Sequence, residues 1–158
     1  MDSPALCQKE DEMNVWAILM LVSGGLFSGG VTVFAWERVP VWRDLAVPRF
    51  KTEFATTIHM ADRVQPALLV ASIVTAAGFA LTTSGAARTL AIVGLGGFVV
   101  TLVASAAVLV PLQRRIIASS QEQAAVVEVM RLRWFRGHLG RSALGVASFV
   151  LVAIAAAV

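Results

Sequence analysis

Two short stretches of the chain place histidine and arginine at helical spacing beside apolar segments. In the first stretch, His59, Asp62 and Arg63 occupy positions i, i+3 and i+4. In the second, His138 and Arg141 occupy positions i and i+3. Residues three or four positions apart share one face of a helix, so each set can act together on one bound molecule. The chain has no other histidine.

Three kinds of chemistry are open to these side chains. A neutral imidazole can remove a proton at physiological pH. Two histidines with a carboxylate from Glu37 or Asp62 form the kind of set that binds non-haem iron, and two histidines can also be the axial ligands of haem. The two histidines are distant in sequence, so no local metal motif is present. The cofactor is therefore unknown: none, or a metal or haem held by histidine.

The elements that position these residues are predicted to lie in a membrane. Hydrophobic residues make up 58% of the 158 residues and the mean hydropathy is +0.78, outside the range of soluble globular domains. A bilayer core of about 30 Å needs roughly 20 helical residues to cross it. We predict an all-α fold, a single four-transmembrane-helix bundle over residues 1–158. The predicted spans, with their cytoplasmic helical extensions, cover about 14–36, 55–82, 88–111 and 124–158.

Local signals refine these boundaries. The apolar runs of the second and fourth spans are short, so their helices are expected to begin in the polar sequence before them. Pro40 and Pro48 are predicted to break the chain between the first two helices. Glycines at 23–30 and 94–97 are predicted to let helices pack closely.

The distribution of basic residues predicts the orientation. Cytoplasmic loops collect lysine and arginine, and the side opposite the two long connections holds only Lys9 and Arg88. Both termini are therefore predicted outside, and both long connections in the cytoplasm. Because the arginines flank the spans, a nucleic-acid partner is not expected. The single cysteine, Cys7, allows no intrachain disulfide.

A polar pocket near the cytoplasmic leaflet is the predicted functional site. A charged side chain in hydrocarbon costs several kcal/mol unless it is paired or hydrated, so both histidine–arginine pairs are expected to face the bundle interior at equal depth. Snorkelling of the arginines to lipid headgroups is the alternative. The predicted lining consists of His59, Asp62, Arg63, Trp134, His138 and Arg141, with Glu37 and Gln65 within reach.

A short internal repeat raises the question of duplication. The segments ALLVASIV at 67–74 and ALGVASFV at 143–150 share six of eight residues, and each follows a histidine and an arginine. A duplication would make the protein two parallel helical hairpins. Chance is the equal alternative, because alanine, valine, leucine and serine are common in this chain.

Four segments resemble the anthrone oxygenase-like family of small four-span membrane proteins. They are FAWERVP at 34–40, FATTIHMADRVQPALL at 54–69, VPLQRRI at 110–116 and WFRGHLGRSAL at 134–144. The resemblance implies an oxygenase-type activity that turns an activated aromatic methylene into a carbonyl with dioxygen, on a small lipophilic substrate such as an aromatic polyketide. In such chemistry a base takes the acidic proton and a cation holds the phenolate.

The resemblance and the helical spacing together assign the candidate residues. The catalytic candidates are His59, Arg63, His138 and Arg141, and the substrate-binding candidates are Glu37, Asp62, Gln65 and Trp134. A non-enzymatic function is the alternative: an accessory or small-molecule-binding subunit that docks a partner through Arg131, Arg133 and Arg136. Membrane lipid is an expected partner in either case, and a homo-oligomer or a partner subunit is consistent with both.

Overall fold

The computed structural model describes residues 15–120 and 123–158, and this part of the chain contains helices and short turns but no strand. Cys7 and Lys9 lie outside the described residues. The helices are α1 (Val15–Asp44), α2 (Val47–Thr82), α3 (Gly85–Ala104), a π-helical turn (Ser105–Leu109), α4 (Val110–Ala118) and α5 (Ala124–Ala157). The all-α prediction is confirmed.

Four membrane-crossing helices are present in the described part of the chain. They are α1, α2, α5 and the continuous segment Gly85–Ala118, which comprises α3, the π-helical turn and α4. Short turns join consecutive helices, so neighbours in sequence run antiparallel. The main interfaces are α3 with α5, α1 with α2, α2 with α3 and α1 with α5. The chain is therefore a multi-pass membrane bundle, as predicted.

The helices at one end of the bundle are longer than expected. Helix α1 continues to Asp44 through Pro40, so the prediction that Pro40 breaks the chain between the first two helices is wrong. A proline inside a helix removes one backbone hydrogen bond without always breaking the helix. Helix α2 begins at Val47 because Pro48 occupies its first turn, where the missing N–H costs nothing. The two long connections that were predicted between spans are thus mostly helix. The first connection consists only of a turn at residues 45–46.

The bundle has two apolar cores, one above the other. Helix α2 is about 54 Å long at 1.5 Å per residue, well beyond a bilayer core of about 30 Å. One core fills the apolar half of the bundle. The other core contains five aromatic residues that we call the aromatic cluster: Trp42, Phe50, Phe54, Trp134 and Phe135. Their rings pack mostly edge to face, with centroids 5.0 Å apart for Phe54 and Trp134.

The buried side chain of Arg131 links α5 to the end of α1. The residue is 5% exposed, and its Nη1 donates to the backbone carbonyls of Trp42 and Leu45, at 3.1 and 2.7 Å. Its Nη2 donates to Glu128 at 2.6 Å, and its guanidinium lies 5.1 Å from the centroid of the Phe50 ring. These bonds satisfy carbonyls at the end of α1 that have no helical partner.

This burial changes the proposed docking surface. Arg131 was expected on an arginine-rich face that meets a partner, but its guanidinium is committed to the interior. Arg133 and Arg136 are exposed. A partner bound through these two residues stays a prediction.

Helices α3 and α5 pack closely because α3 has glycine at the interface. A Cβ atom at Gly94 would lie 2.9 Å from the backbone oxygen of Ser148 and 2.6 Å from Cγ1 of Val152. By contrast, a Cβ atom at Gly96 would meet nothing within 4 Å. The close-packing role predicted for glycines of the third span therefore holds for Gly94.

We expect Gly94→Ala to destabilise the bundle by about 1–3 kcal/mol, because the backbone of α5 must shift to admit the methyl group. Gly96→Ala is the matched control and should be neutral or stabilising by up to about 1 kcal/mol through helix propensity. The measurement is the free energy of unfolding in mixed detergent micelles, followed by circular dichroism during titration with a denaturing detergent. Equal stability of the two variants would contradict this account of the interface.

Candidate functional site

A cavity of about 170 Å³ lies between the two cores. Phe27, Leu69 and Leu102 come from the apolar core or pack against it, whereas Ile58 and Leu109 belong to the core that contains the aromatic cluster. The polar lining residues are Asp62, Gln65, Ser105, Gln113, Trp134, His138 and Arg141. Residues from all four membrane-crossing helices thus contribute to one pocket.

The depth of this cavity follows from helix geometry. Asp62 lies about 30 Å along α2 from Thr82, and His138 lies about 28 Å along α5 from Ala157, at 1.5 Å per residue. Both distances match the thickness of a bilayer core. The cavity therefore lies where one edge of the hydrocarbon region is expected, at equal depth on the two helices.

His138 is held in the cavity wall by ring packing. It is 1% exposed, and its ring stacks on Trp134 with centroids 4.9 Å apart and planes 8° from parallel. The Phe34 ring also contacts the His138 ring, at a tilt of 57° and with centroids 5.1 Å apart. Both ring nitrogens are buried without a hydrogen-bond partner; the Val31 carbonyl faces the ring without reaching hydrogen-bond geometry. Such unmet polar atoms cost about 1–3 kcal/mol, so the ring is available to a ligand in the cavity.

Arg141 is fixed by two neutral acceptors. Its Nη1 donates to Ser105 Oγ at 3.2 Å, its Nη2 donates to Gln65 Oε1 at 2.9 Å, and its Nε is buried without a partner. The carboxylate of Asp62 lines the same cavity and interacts electrostatically with Arg141, but no salt bridge forms between them. A cation bound by neutral groups retains its attraction for an anion that enters the cavity.

A π-helical turn begins at Ser105, the residue whose hydroxyl accepts from Arg141. Pro111 follows the turn closely, and its ring would clash with the carbonyl of Ala107 in a regular α-helix. The wider turn at Ser105–Leu109 adjusts the helix just before this proline. Single π turns inside α-helices are frequent at functional sites. Here the turn belongs to the cavity wall and supplies an acceptor to Arg141.

His59 and Arg63 do not reach the cavity. Both are exposed, and Arg63 Nη2 lies 2.9 Å from His59 Nε2. The expectation that they face the bundle interior is wrong. Arg63 is rotated by about 100° around the helix from Asp62, and His59, one turn before Arg63, shares its exposed face. Glu37 is also exposed and does not line the cavity. The structure therefore separates the two histidines into one buried and one exposed residue.

Sequence reasoning found part of the lining and missed part. The predicted residues that line the cavity are Asp62, Gln65, Trp134, His138 and Arg141. It missed Gln113, which is 8% exposed, lines the cavity and makes no hydrogen bond in the described part of the chain. A lone neutral amide among apolar and basic residues was the available signal. Ser105 was missed because a serine inside a span is common.

The metal sites considered from sequence are not assembled. Among residues 15–120 and 123–158, no three His, Cys, Asp or Glu side chains form a group that could hold a metal ion. Because His59 lies outside the cavity, it joins His138 neither in a two-histidine, one-carboxylate set nor as a pair of haem ligands. The donors in the cavity therefore fit neither group.

The chain matches a known protein family. A family model described as anthrone oxygenase matches residues 54–151, more than half of the chain. The match extends from the aromatic cluster in α2 through most of α5, and it includes every polar residue of the cavity. No curated protein and no solved structure matches the chain.

Proposed function

Because the chain belongs to the anthrone oxygenase family, we propose that it oxidises a small lipophilic aromatic compound with dioxygen in the cavity beside His138. One observation carries the proposal: a buried imidazole with two unpartnered nitrogens shares a cavity with a buried guanidinium bound only to neutral acceptors. A base and a cation are the groups that an enolisable substrate needs.

The reaction begins with a proton transfer. His138 accepts a proton from the activated methylene carbon, and the negative charge moves to the oxygen conjugated with it. Arg141 stabilises this oxyanion through its guanidinium. The low dielectric of the apolar walls strengthens that attraction and keeps water away from the anion.

The carbanion then reduces dioxygen. Electrons pass from the methylene carbon to dioxygen, a carbon–oxygen bond forms, and the peroxide takes the proton back from His138. Loss of the second methylene proton breaks the oxygen–oxygen bond. One oxygen atom becomes the new carbonyl and the other leaves as water, so methylene and dioxygen give ketone and water in balance.

The remaining cavity residues position these groups. Gln65 and Ser105 hold the Arg141 guanidinium from two helices. Trp134 stacks on the His138 ring and Phe34 contacts it at a tilt, so these two side chains fix the orientation of the imidazole. Asp62 and Gln113 supply polar contacts for substrate hydroxyl groups, because neither forms a hydrogen bond or a salt bridge within the described residues.

Labelled dioxygen tests this function. The purified protein in lipid nanodiscs is incubated with a panel of enolisable aromatic compounds, including 1,8-dihydroxyanthrone and electron-rich phenols, under ¹⁸O₂. We expect one labelled atom in the new carbonyl and one in water, with equal amounts of dioxygen consumed and product formed. Empty nanodiscs supply the background rate of autoxidation. Turnover no faster than that background, or hydrogen peroxide as the reduced product, would reject the oxygenase function.

A further inference from the structure

The wall of the cavity is thinnest between α2 and the third membrane-crossing segment, Gly85–Ala118. Within the described part of the chain, the lining residues that are also exposed are Asp62, Pro66 and Ala106. Pro66 also lines an apolar groove on the opposite face of α2, so its exposure does not locate an opening. Asp62 and Ala106 therefore mark the place where the cavity comes nearest to the outside of the bundle.

Buried side chains close the cavity on its other sides. Phe27 of α1 is 1% exposed, and Trp134 and His138 of α5 are 2% and 1% exposed. The aromatic cluster covers the cavity toward the turn between α1 and α2. A molecule that approached from that end would have to displace these tightly packed rings.

The gap between α2 and the third segment is bounded at both ends. Helices α2 and α3 form one of the main interfaces of the bundle, whereas α2 does not pack closely against the π-helical turn that contains Ala106. Beyond that turn, Lys51 Nζ donates to the backbone carbonyl of Ser119 and joins α2 to the end of α4. The gap is therefore a slot beside the π-helical turn.

This slot lies at the edge of the hydrocarbon region. Ala106 is about 32 Å along the third segment from Gly85, at 1.5 Å per residue, and Asp62 is about 30 Å along α2 from Thr82. Both distances match the thickness of a bilayer core. Aromatic rings that carry polar groups collect at this level of a membrane.

The rim of the slot is polar on one side and apolar on the other. Asp62 interacts electrostatically with Arg114 of α4 and with His59, which lie toward the headgroups. Ala106 contributes only a methyl group. A planar compound with hydroxyl groups can therefore pass edge first, with its oxygen atoms toward Asp62 and its rings toward Ala106.

We propose that the substrate enters the cavity from the bilayer through this slot, and that the small side chain of Ala106 sets the size of the ring system that passes. The inference rests on the proposed function for the class of substrate. It adds the route, and it makes Ala106 a residue that determines specificity without taking part in the chemistry.

Rates of binding without oxygen test the route separately from the reaction. The probes are 1,8-dihydroxyanthrone, with three fused rings, and 4-nitrophenol, with one ring. Each is mixed anaerobically with protein in lipid nanodiscs in a stopped-flow instrument while tryptophan fluorescence is followed. The variant is Ala106→Leu. The matched control is Ala107→Leu, which adds the same side chain to the same turn at an exposed residue that does not line the cavity.

We expect Ala106→Leu to slow both association and dissociation of the anthrone about tenfold, because a narrower slot impedes passage in both directions. The dissociation constant, which is the ratio of these rates, should change less than about threefold. The rates for 4-nitrophenol should change less than about twofold, and Ala107→Leu should match the wild type with both probes. If Ala106→Leu does not fold, Ala106→Val with Ala107→Val as its control repeats the comparison, with an expected slowing of about threefold.

The outcomes separate the route from other effects of the substitution. Equal association rates in the Ala106 and Ala107 variants would overturn the slot as the entrance. Faster dissociation with unchanged association would also overturn it, because the added side chain would then only fill the cavity. Equal slowing of both probes would overturn the size selection by Ala106, and a wild type that binds neither probe would overturn the route.

The same measurements keep this inference distinct from the oxygenase function. Selective slowing of the anthrone by Ala106→Leu, without incorporation of ¹⁸O by the wild type, would uphold the route and reject the oxygenase function. Incorporation of ¹⁸O at equal rates in the Ala106 and Ala107 variants, with equal association rates, would uphold the oxygenase function and reject the route.

Discussion

Replacing His138 with phenylalanine is expected to lower oxygen-dependent turnover by about 10²–10⁴-fold, the usual contribution of a positioned general base. Phenylalanine retains a planar ring that can stack on Trp134 and contact Phe34, so the cavity wall keeps its shape. Only the two ring nitrogens are lost. The measurement is the rate of product formation under saturating substrate, with anaerobic substrate binding measured in parallel.

Stability distinguishes this role from a structural one. Both nitrogens of His138 are buried without partners, and removing such groups relieves a desolvation cost of about 1–3 kcal/mol. The variant should therefore unfold at the same or a higher denaturant concentration while losing turnover. His59→Phe is the matched control on the exposed histidine and should change turnover less than twofold. Retained turnover in His138→Phe would remove this histidine from the chemistry.

Replacing Arg141 with methionine is expected to lower turnover by about 10²–10³-fold, as for removal of an oxyanion-stabilising donor. Methionine fills much of the same space but carries no charge. The unreactive anion 4-nitrophenolate should also bind at least about tenfold more weakly, because the positive charge of the cavity is gone. Steady-state kinetics and a binding titration measure the two effects separately.

The conservative variant Arg141→Lys shows whether charge alone is enough. Lysine keeps the charge but cannot donate to Ser105 and Gln65 in the fixed geometry of a guanidinium. We expect it to recover most of the anion binding and only part of the turnover. Arg63→Met, on the exposed face of α2, is the matched control and should behave as the wild type. Equal losses in the Arg63 and Arg141 variants would show a general electrostatic effect rather than a site.

Helical periodicity explains both the success and the failure of the site predictions. Trp134, His138 and Arg141 are spaced i, i+4 and i+7, and all three line the cavity. His59 and Arg63 have equally good spacing, yet they are exposed. Periodicity tells which residues share a face, but it does not tell which face is buried. Near the edge of the hydrocarbon, polar side chains can turn outward at little cost, so the argument from lipid burial loses its force.

The prediction of the helix boundaries was limited in the same way, because a sequence pattern does not show how helices pack against each other. The apolar runs located all four spans, because about 20 apolar residues are needed to cross a bilayer. The extension of α1 beyond the first span was underestimated. Packing of the aromatic cluster overrides the local tendency of Pro40 to interrupt a helix. Trp42, just beyond Pro40, is completely buried in that cluster. Long-range packing of this kind leaves no signal within a single helix.

The cavity itself could not be located from sequence. Its lining includes Ser105 and Gln113, and a π-helical turn at Ser105–Leu109 alters the register of the third span between these two residues. Pro111 marks that turn, but a proline is compatible with a kink, a π turn or a helix start. The choice between them depends on how α5 packs against this segment, where Leu109 lies over Gly137.

The choice of acceptors by Arg131 affects which substitutions the end of α1 can tolerate. Its two bonds to the end of α1 are made to main-chain carbonyls, of Trp42 and Leu45. Substitutions that preserve the path of the chain leave those carbonyls in place, whatever side chain they introduce at the exposed Arg43 and Asp44. Arg43 and Asp44 are therefore free to diverge in sequence during evolution, while Arg131, which binds this segment from α5, is not.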